Sequence, residues 1–196
     1  LEIDTKWQEK QKNQIGGGIV IGVAARLAEE KGIEYLLEAV PEVRAGLGKP
    51  IKIAMAGPIE PVGEEKYKRK IVELVRKYKD EVVFLGSIPP DKMGAFYSLI
   101  DVLVLPSINS TEAFGMVQVE AMKLGVPVVA TNLPGVRVPI LTTKMGLLVP
   151  AKNSTAIAEA VIKIIKNKKN YFKVGTVDEL FREADFFSKI MTLGWS

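Results

Sequence analysis

The stretch "DVLVLPSINSTEAFGMVQVEAMKLGVPVVAT", residues 101–131, decides the fold class of this chain. Its two ends, "DVLVLPS" and "VPVVAT", are short apolar runs that predict buried strands. Between them, the residues from Phe114 to Leu124 are predicted to form a packed helix. Apolar strands that alternate with helices are typical of parallel sheets covered on both faces, so the stretch predicts one unit of such a sheet.

The same alternation extends over most of the chain. Further apolar runs predict strands, and segments with apolar residues at helical spacing predict the helices between them. The predicted strands are 19–25, 51–57, 82–86 and 146–150, and the predicted helices are 33–43, 63–78 and 155–167. We therefore expect one α/β domain with a doubly wound, Rossmann-like parallel sheet and helices on both faces.

The amino-terminal residues show a weaker pattern. From Leu1 to Gln14 there is little periodicity, and the segment leads into Gly16–Gly18, so we interpret it as a linker or an incoming tail. The ordered pattern is expected to begin at Ile19.

Two helix starts carry capping signals. Asp91 follows two prolines and is the expected N-cap of a short helix. Thr176 and Glu179 form the Thr-x-x-Glu pattern of a capping box, which predicts a last helix.

The composition limits the chemistry. The chain has 196 residues, of which 47% are hydrophobic, and it contains no cysteine and no histidine. These absences exclude disulfides, Cys/His zinc sites and catalytic Cys or His within this chain. The net charge of +4 is weak evidence for an anionic ligand, and solvated helix faces explain most of the lysines. Abundant Glu and Lys without Cys lean towards a thermophile, and the lack of Cys fits a cytoplasmic protein.

Ligands of doubly wound sheets bind at the carboxyl ends of the strands. In this chain, those ends lead into the loops after Ala25, Gly57, Gly86, Ser107 and Thr131. The loop after Gly86 contains "SIPPD", whose backbone could lie against a planar base, although a plain strand-to-helix turn is the more common use of such a sequence.

Two cations follow the first predicted strand. Arg26 and Lys31 lie near the start of the next helix, where they could hold a pyrophosphate or a similar anion. Alternatively they are ordinary surface charges that pair with Glu29 and Glu30. Their spacing alone favours neither interpretation.

Two carboxylates flank the start of the helix in the opening stretch. Glu112 and Glu120 are eight residues apart, which corresponds to about 12 Å and about 80° on a helix, too far for a close acid/base pair. We expect them to contact different parts of one long ligand, with an anion near Gly115, where backbone N–H groups are exposed. The alternative is a helix-start acid and an unrelated surface glutamate.

Several ligand motifs are absent. The chain has no G-x-x-x-x-G-K-[S/T] phosphate loop, no G-x-G-x-x-G that opens a helix, and no D-x-D pair for a metal-bridged diphosphate.

The motifs that are present, taken together, resemble the carboxy-terminal domain of GT-B glycosyltransferases, specifically the retaining glycosyltransferase family 4. They are "GVAARLAEEKG", "VVFLGSIP", "LPS", "TEAFGMVQVEAMKLGVPVVAT" and "GLLVPA", in the order found in the family. The resemblance extends from about Ile15 to about Lys166, and the glutamate pair matches the family's E-x7-E signature.

The resemblance implies roles for individual residues. Arg26 and Lys31 would hold the donor diphosphate and stabilise the leaving group, Glu112 would face the hydroxyls of the donor sugar, and Glu120 would accept hydrogen bonds from the ribose hydroxyls. It also implies a nucleotide-diphosphate sugar such as UDP-glucose or GDP-mannose as donor, with no metal and no other cofactor. The remaining implied donor contacts are Phe114, Gly115, Met116 and Val117 near the phosphates and sugar, and Gly86, Ser87 and Ile88 against the base.

The chain departs from the family in two respects. Many members have a glycine pair and a glutamate where this chain has Pro134, Gly135 and Val138, so donor contacts from that loop are in doubt. The amino-terminal acceptor domain of a complete enzyme is also missing. We therefore expect 1–16 to be an interdomain linker remnant, 17–167 the donor-binding domain and 168–196 a carboxy-terminal helical tail.

These expectations define the predicted function. The chain would bind the donor without turnover, while the complete enzyme, cytoplasmic or at the inner face of a membrane, would transfer a hexose to an acceptor. No nucleic-acid partner is expected. The alternatives are a non-catalytic nucleotide-sugar-binding module and another GT-B member, such as an epimerase or a phosphorylase-like enzyme. Apolar tail residues could form a face towards the acceptor domain or pack as ordinary core: Phe186, Phe187, Ile190, Met191, Leu193 and Trp195.

Overall fold

The computed structural model describes residues 4–63, 65–171 and 177. In this part of the chain, six parallel strands form one sheet with the order β3-β2-β1-β4-β5-β6. The strands are β1 (Ile19–Ala24), β2 (Ile51–Ala56), β3 (Val82–Gly86), β4 (Val102–Leu105), β5 (Val128–Thr131) and β6 (Gly146–Val149). The predicted doubly wound α/β fold is confirmed.

Helices cover both faces of the sheet. They are α1 (Thr5–Ile15), α2 (Ile33–Leu47), α3 (Glu65–Lys77), α4 (Met93–Ser98), α5 (Met116–Lys123), α6 (Val138–Thr143) and α7 (Ser154–Lys166). Short 3-10 turns lie at Glu29–Lys31, Pro90–Lys92 and Lys168–Asn170. No helix among the described residues is long and apolar enough to span a bilayer.

The alternation of side chains along each strand divides the core into two layers. Ile21 and Ile53 face one layer, which contains buried residues of α2, α3 and α7. Their neighbours Val20 and Ala54 face the other layer, with buried residues of α1, α4, α5 and α6. Because both faces are covered, the strands are apolar at nearly every position, which is why they were recognisable in the sequence.

Three local predictions need correction. The ordered pattern was expected to begin at Ile19, but most of the segment before it forms α1, whose first turn is capped by Asp4. Asp91 is not an N-cap, because it lies inside the 3-10 turn Pro90–Lys92, and no side chain caps α4. The predicted helix from Phe114 to Leu124 is shorter and spans α5 only.

The helix α6 was not predicted from the sequence. The capping box at Thr176 and Glu179 and the apolar face from Phe186 to Trp195 lie outside the described residues.

Candidate functional site

The strand order places a crevice between β1 and β4. The chain moves outward from β1 to β2 and β3, then returns to add β4 on the other side of β1. Loops after β1 and β4 therefore diverge from adjacent strands, and in open α/β sheets this is the point where ligands bind. The loop after β1 contains Arg26 and Lys31, and the loop after β4 contains Glu112.

These two loops pack directly against each other. The N–H of Ile108 donates a hydrogen bond of 3.0 Å to the carbonyl of Glu30. At Gly32, φ is +60°, and a Cβ atom would lie 2.2 Å from the carbonyl oxygen of Pro106. Only glycine fits this close approach in a left-handed conformation, so Gly32 fixes how the loops meet.

Lys31 and Glu112 form an ion pair across the crevice. The Lys31 Nζ atom donates to Glu112 Oε2 at 2.7 Å, and the side chains are only 20% and 17% exposed. An ammonium group has three donors, so this contact leaves Lys31 able to hold an anion as well. The structure thus brings together two residues that the sequence predicted for one site.

Arg26 has a more exposed environment. Its Nη2 atom lies 2.6 Å from Glu30 Oε1, and 52% of its side chain is exposed. A hydrogen bond from the Glu30 backbone N–H, followed by the Arg26 guanidinium, lowers the pKa of Glu30. The Arg26–Glu30 pair is one of the pairings expected if the two cations are ordinary surface charges. Since exposed ion pairs contribute little, Glu30 does not hold Arg26 strongly.

A cleft of about 290 Å³ lies at the carboxyl ends of β1, β2 and β3. Its volume is near the lower end of small-molecule sites, roughly 300–1,000 Å³. Four residues predicted from the sequence line it: Arg26, Ser87, Ile88 and Val117; the other lining residues are Ala24, Ala25, Ala56, Gly57, Pro58 and Met93.

Gly86 supports this cleft from beside it. Its carbonyl accepts a hydrogen bond of 2.9 Å from the N–H of Gly57, which joins the ends of β2 and β3.

A larger cavity of about 460 Å³, lined by α1, Gly16–Gly18 and Asp101, lies at the amino ends of the strands, away from these loops.

The start of α5 is shaped by Gly115. This residue is buried with φ of +73°, and a Cβ atom would lie 2.5 Å from Leu105 Cδ2. Glycine is thus required here by the backbone and the core, whether or not a ligand approaches. Beside it, Phe114 is half-buried, while Met116 is 59% exposed.

Gln118 was missed by the sequence analysis. Its Nε2 atom donates to the carbonyls of Phe114 and Val136, both at 3.0 Å, so one buried amide joins the loops after β4 and β5. The same two loops also meet at Gly135, where φ is +74° and a Cβ atom would lie 1.9 Å from the Ala113 carbonyl oxygen. The available signal was a polar residue between two valines, Val117 and Val119.

Tyr97 was also missed. The Tyr97 hydroxyl donates to Glu120 Oε2 at 2.7 Å, and the Tyr97 side chain is fully buried. Burial, followed by the hydrogen bond with the Glu120 carboxylate, raises the pKa of Tyr97, so the phenol remains a proton donor at neutral pH. Glu120 itself is partly buried, one helical turn from Val117 at the cleft.

The described residues contain no group of three His, Cys, Asp or Glu side chains placed to hold a metal ion. The polar groups at this edge of the sheet include the cations Arg26 and Lys31 and the backbone N–H groups at the start of α5. Three carboxylates lie among them: Glu30, Glu112 and Glu120. This arrangement suits a ligand with both anionic and hydroxyl groups.

The strand order and the site define a Rossmann-like α/β domain with a candidate ligand site at its switch point. The chain belongs to the family described as glycosyl transferases group 1, whose family model matches residues 5–176. The resemblance to GT-B glycosyltransferases is confirmed.

Curated relatives agree with this assignment. The chain is 31% identical, over 85% of its length, to an uncharacterized glycosyltransferase of Methanocaldococcus jannaschii, of which it covers 42%. It is 33% identical, over 76% of its length, to a D-inositol 3-phosphate glycosyltransferase of Corynebacterium urealyticum, of which it covers 35%. The chain therefore spans less than half the length of these relatives.

Among solved structures, the fold is similar to Anabaena HepE in complex with UDP-glucose. The TM-score is 0.74 at 20% identity, and the match covers 95% of this chain and 50% of that one.

Proposed function

We propose that this chain is the donor-binding domain of a retaining, metal-independent glycosyltransferase of the family 4 type. The complete enzyme would transfer a hexose from a nucleotide-diphosphate sugar, such as UDP-glucose or GDP-mannose, to an acceptor. The observation that carries the proposal is the Lys31–Glu112 pair of 2.7 Å at the switch point, beside a cleft lined by Arg26.

The cations and the start of α5 bind the diphosphate. Lys31 and Arg26 provide positive charge, and the first backbone N–H groups of α5 have no partner within their own helix. When the bond between the sugar C1 atom and the diphosphate oxygen breaks, negative charge accumulates on the departing diphosphate. Groups already aimed at this charge stabilise it without reorganisation, and no metal ion is needed for that role.

The carboxylates bind the neutral parts of the donor. Glu112, held beside Lys31, accepts hydrogen bonds from hydroxyls of the sugar, and Glu120 accepts them from the ribose. Ser87 and Ile88, together with the adjoining Gly86 backbone, lie against the base. The UDP-glucose complex of Anabaena HepE supports this ligand class.

The acceptor site belongs to the remainder of the protein. The chain covers only 42% and 35% of the two relatives described above, so we assign acceptor binding to the portion of those enzymes that it does not match. This chain alone is therefore expected to bind the donor without transferring sugar. The complete protein is expected in the cytoplasm. If its acceptor is a lipid, we expect it at the inner face of a membrane. Cell fractionation tests this location.

Calorimetry with UDP, GDP and ADP tests the binding site. One of these nucleotides should bind and raise the melting temperature, because a ligand of the folded state stabilises it. EDTA should leave the affinity unchanged if no metal takes part. A folded sample that binds none of the three would refute the proposal.

A lysine variant and a matched control locate the site. Lys31→Ala should weaken nucleotide binding by about 10-fold or more, as expected for loss of a charge-assisted contact. Lys70 forms an ion pair of 3.0 Å with Glu38 on the α2–α3 surface, so Lys70→Ala removes a comparable pair away from the site and should leave binding unchanged. Equal effects of the two variants would contradict the assignment.

A non-catalytic nucleotide-sugar-binding module is the second candidate. It is favoured by Val138, which is fully buried at a position where many members of glycosyltransferase family 4, which the chain resembles, have a glutamate. Assays of the full-length protein distinguish the two. Transfer with retention of the anomeric configuration supports the enzyme, whereas donor binding without transfer to any acceptor supports the module.

A further inference from the structure

A buried tyrosine lies beneath the proposed ribose site. Tyr97 has no exposed surface, and its ring packs against Phe96 with 5.4 Å between the ring centroids. Its hydroxyl donates to Glu120 Oε2 at 2.7 Å, which joins α4 to α5 across 23 positions of sequence. Because the ring is enclosed by core residues, its hydroxyl occupies a fixed point in space.

The positions of these residues on their helices place the contact next to the cleft. Met93 lines the cleft, and Tyr97 is four residues further along α4; Val117 lines it, and Glu120 is three residues further along α5. Residues three or four apart lie on the same helix face, so the Tyr97–Glu120 contact is one turn behind the cleft wall on both helices.

The direction of the hydrogen bond is also defined. Burial and the Glu120 carboxylate raise the pKa of Tyr97, so the phenol is a donor and the carboxylate an acceptor. A carboxylate has about four lone-pair sites, of which Tyr97 occupies one. The Tyr97 hydroxyl by itself leaves lone-pair sites on this carboxylate for the two hydroxyls of a ribose.

We propose that Tyr97 is a positioning residue: its hydroxyl holds Glu120 so that the carboxylate accepts the 2′- and 3′-hydroxyls of a bound nucleoside diphosphate. Tyr97 does not contact the ligand and acts only through Glu120. The inference rests on the proposed function and deepens it, because it assigns the discrimination between ribose and deoxyribose to a pair of residues. A glutamate side chain has three torsions. Because Tyr97 restricts them before the ligand binds, less conformational entropy is lost when Glu120 binds the ribose.

A double-mutant cycle separates positioning from a structural role. The variants are Tyr97→Phe, Glu120→Ala and the double variant, each titrated calorimetrically with UDP, GDP and ADP and with their 2′-deoxy counterparts. Tyr97→Phe should weaken binding of the ribonucleotide by about 3- to 10-fold, as expected for one hydrogen bond, and should weaken the deoxynucleotide less. In the Glu120→Ala background, the same substitution should have no further effect on affinity.

Tyr78→Phe is the matched control. Tyr78 is also buried, but it follows α3 near the amino end of β3, away from the site. Loss of its hydroxyl should leave the affinity and the ribose preference unchanged.

The outcomes distinguish the two levels of the proposal. If the unmodified chain is folded but binds no nucleotide, the proposed function and this inference are both overturned. If it binds, but Tyr97→Phe weakens ribo- and deoxyribonucleotides equally, or weakens binding to the same extent without Glu120, only the role of Tyr97 is overturned.

A spectroscopic measurement covers the case in which Tyr97→Phe does not fold. The hydroxyl proton of Tyr97 should give a slowly exchanging NMR resonance in the unmodified chain, assigned by isotope labelling, because the group is buried and hydrogen bonded. The resonance should persist when UDP, GDP or ADP, whichever binds, saturates the chain. Its loss on binding would mean that Glu120 leaves Tyr97 to reach the ribose, which would overturn the inference.

Discussion

Removal of the buried Glu34 carboxylate is predicted to stabilise the folded chain at neutral pH. Glu34 lies in the first turn of α2 with 4% of its surface exposed, and its Oε2 atom has no hydrogen-bond partner among the described residues. Burial raises the pKa of Glu34, since desolvation outweighs the hydrogen bond from its own backbone N–H and the attraction of Lys70. Nearby Glu38 and Glu29 add repulsion.

The sign of the pH dependence follows from this shift. The folded state holds the proton of Glu34 more tightly than the unfolded state. The contribution of Glu34 to the free energy of unfolding therefore falls as the pH rises above 4.5, the usual pKa of a glutamate. The fall ends once the pH exceeds the raised pKa of the folded state. Glu34→Gln resembles the protonated form and lacks this loss, so it should match the unmodified chain near pH 4. Near pH 7 it should be more stable by about 1.4 kcal/mol for each unit by which folding raises the pKa of Glu34.

Urea denaturation of both proteins at about pH 4 and about pH 7 measures this difference. Glu81→Gln is the control, because Glu81 pairs with Arg44 at 2.9 Å and does not interact with Glu34; it should not stabilise the chain at either pH. A Glu34→Gln variant that is destabilised near pH 7, or whose difference from the unmodified chain is the same at both pH values, would refute the reasoning.

Three further predictions concern the loops of the site. Gln118→Ala removes the amide that joins two loops and should destabilise the chain by about 1–3 kcal/mol in urea titrations, with weaker nucleotide binding; unchanged stability would contradict this. Gly135→Ala places a methyl group 1.9 Å from the Ala113 carbonyl oxygen at positive φ, so calorimetric melting should show a loss of about 2 kcal/mol or more, and a loss under about 0.5 kcal/mol would oppose it. Arg26→Ala removes an exposed pair with Glu30, so stability should stay within about 0.5 kcal/mol while nucleotide affinity falls; a large loss of stability with intact affinity would show a structural role instead.

Most of the strands were predictable because their signal is local. A strand buried on both faces must be apolar at nearly every position, and the runs in β1, β2, β4 and β5 are. Helix bounds were less predictable. Asp91 is a favourable N-cap residue by type, but the chain around it takes a 3-10 path. The α1 segment has weak amphipathicity, and its burial of Ile15 against the core appears only in three dimensions.

The candidate site was predictable in residue types and in location, but not in its contacts. Carboxyl ends of strands bind ligands in this fold class, so Arg26, Lys31 and Glu112 could be placed near one another from the loop positions alone. No sequence feature indicated that Tyr97 would reach Glu120, because a tyrosine in a short helix is most often a core residue.

The sequence by itself determined the fold class, the loops at the carboxyl ends of the strands and the chemical types present there, since all three follow from local patterns. Only the tertiary structure decided which groups meet. Lys31 and Glu112 are separated by 81 positions and lie 2.7 Å apart because β4 pairs with β1 rather than with β3. Such pairings depend on strand order and on close backbone approaches such as that of Gly32 to Pro106, which are properties of the packed sheet and not of any one segment.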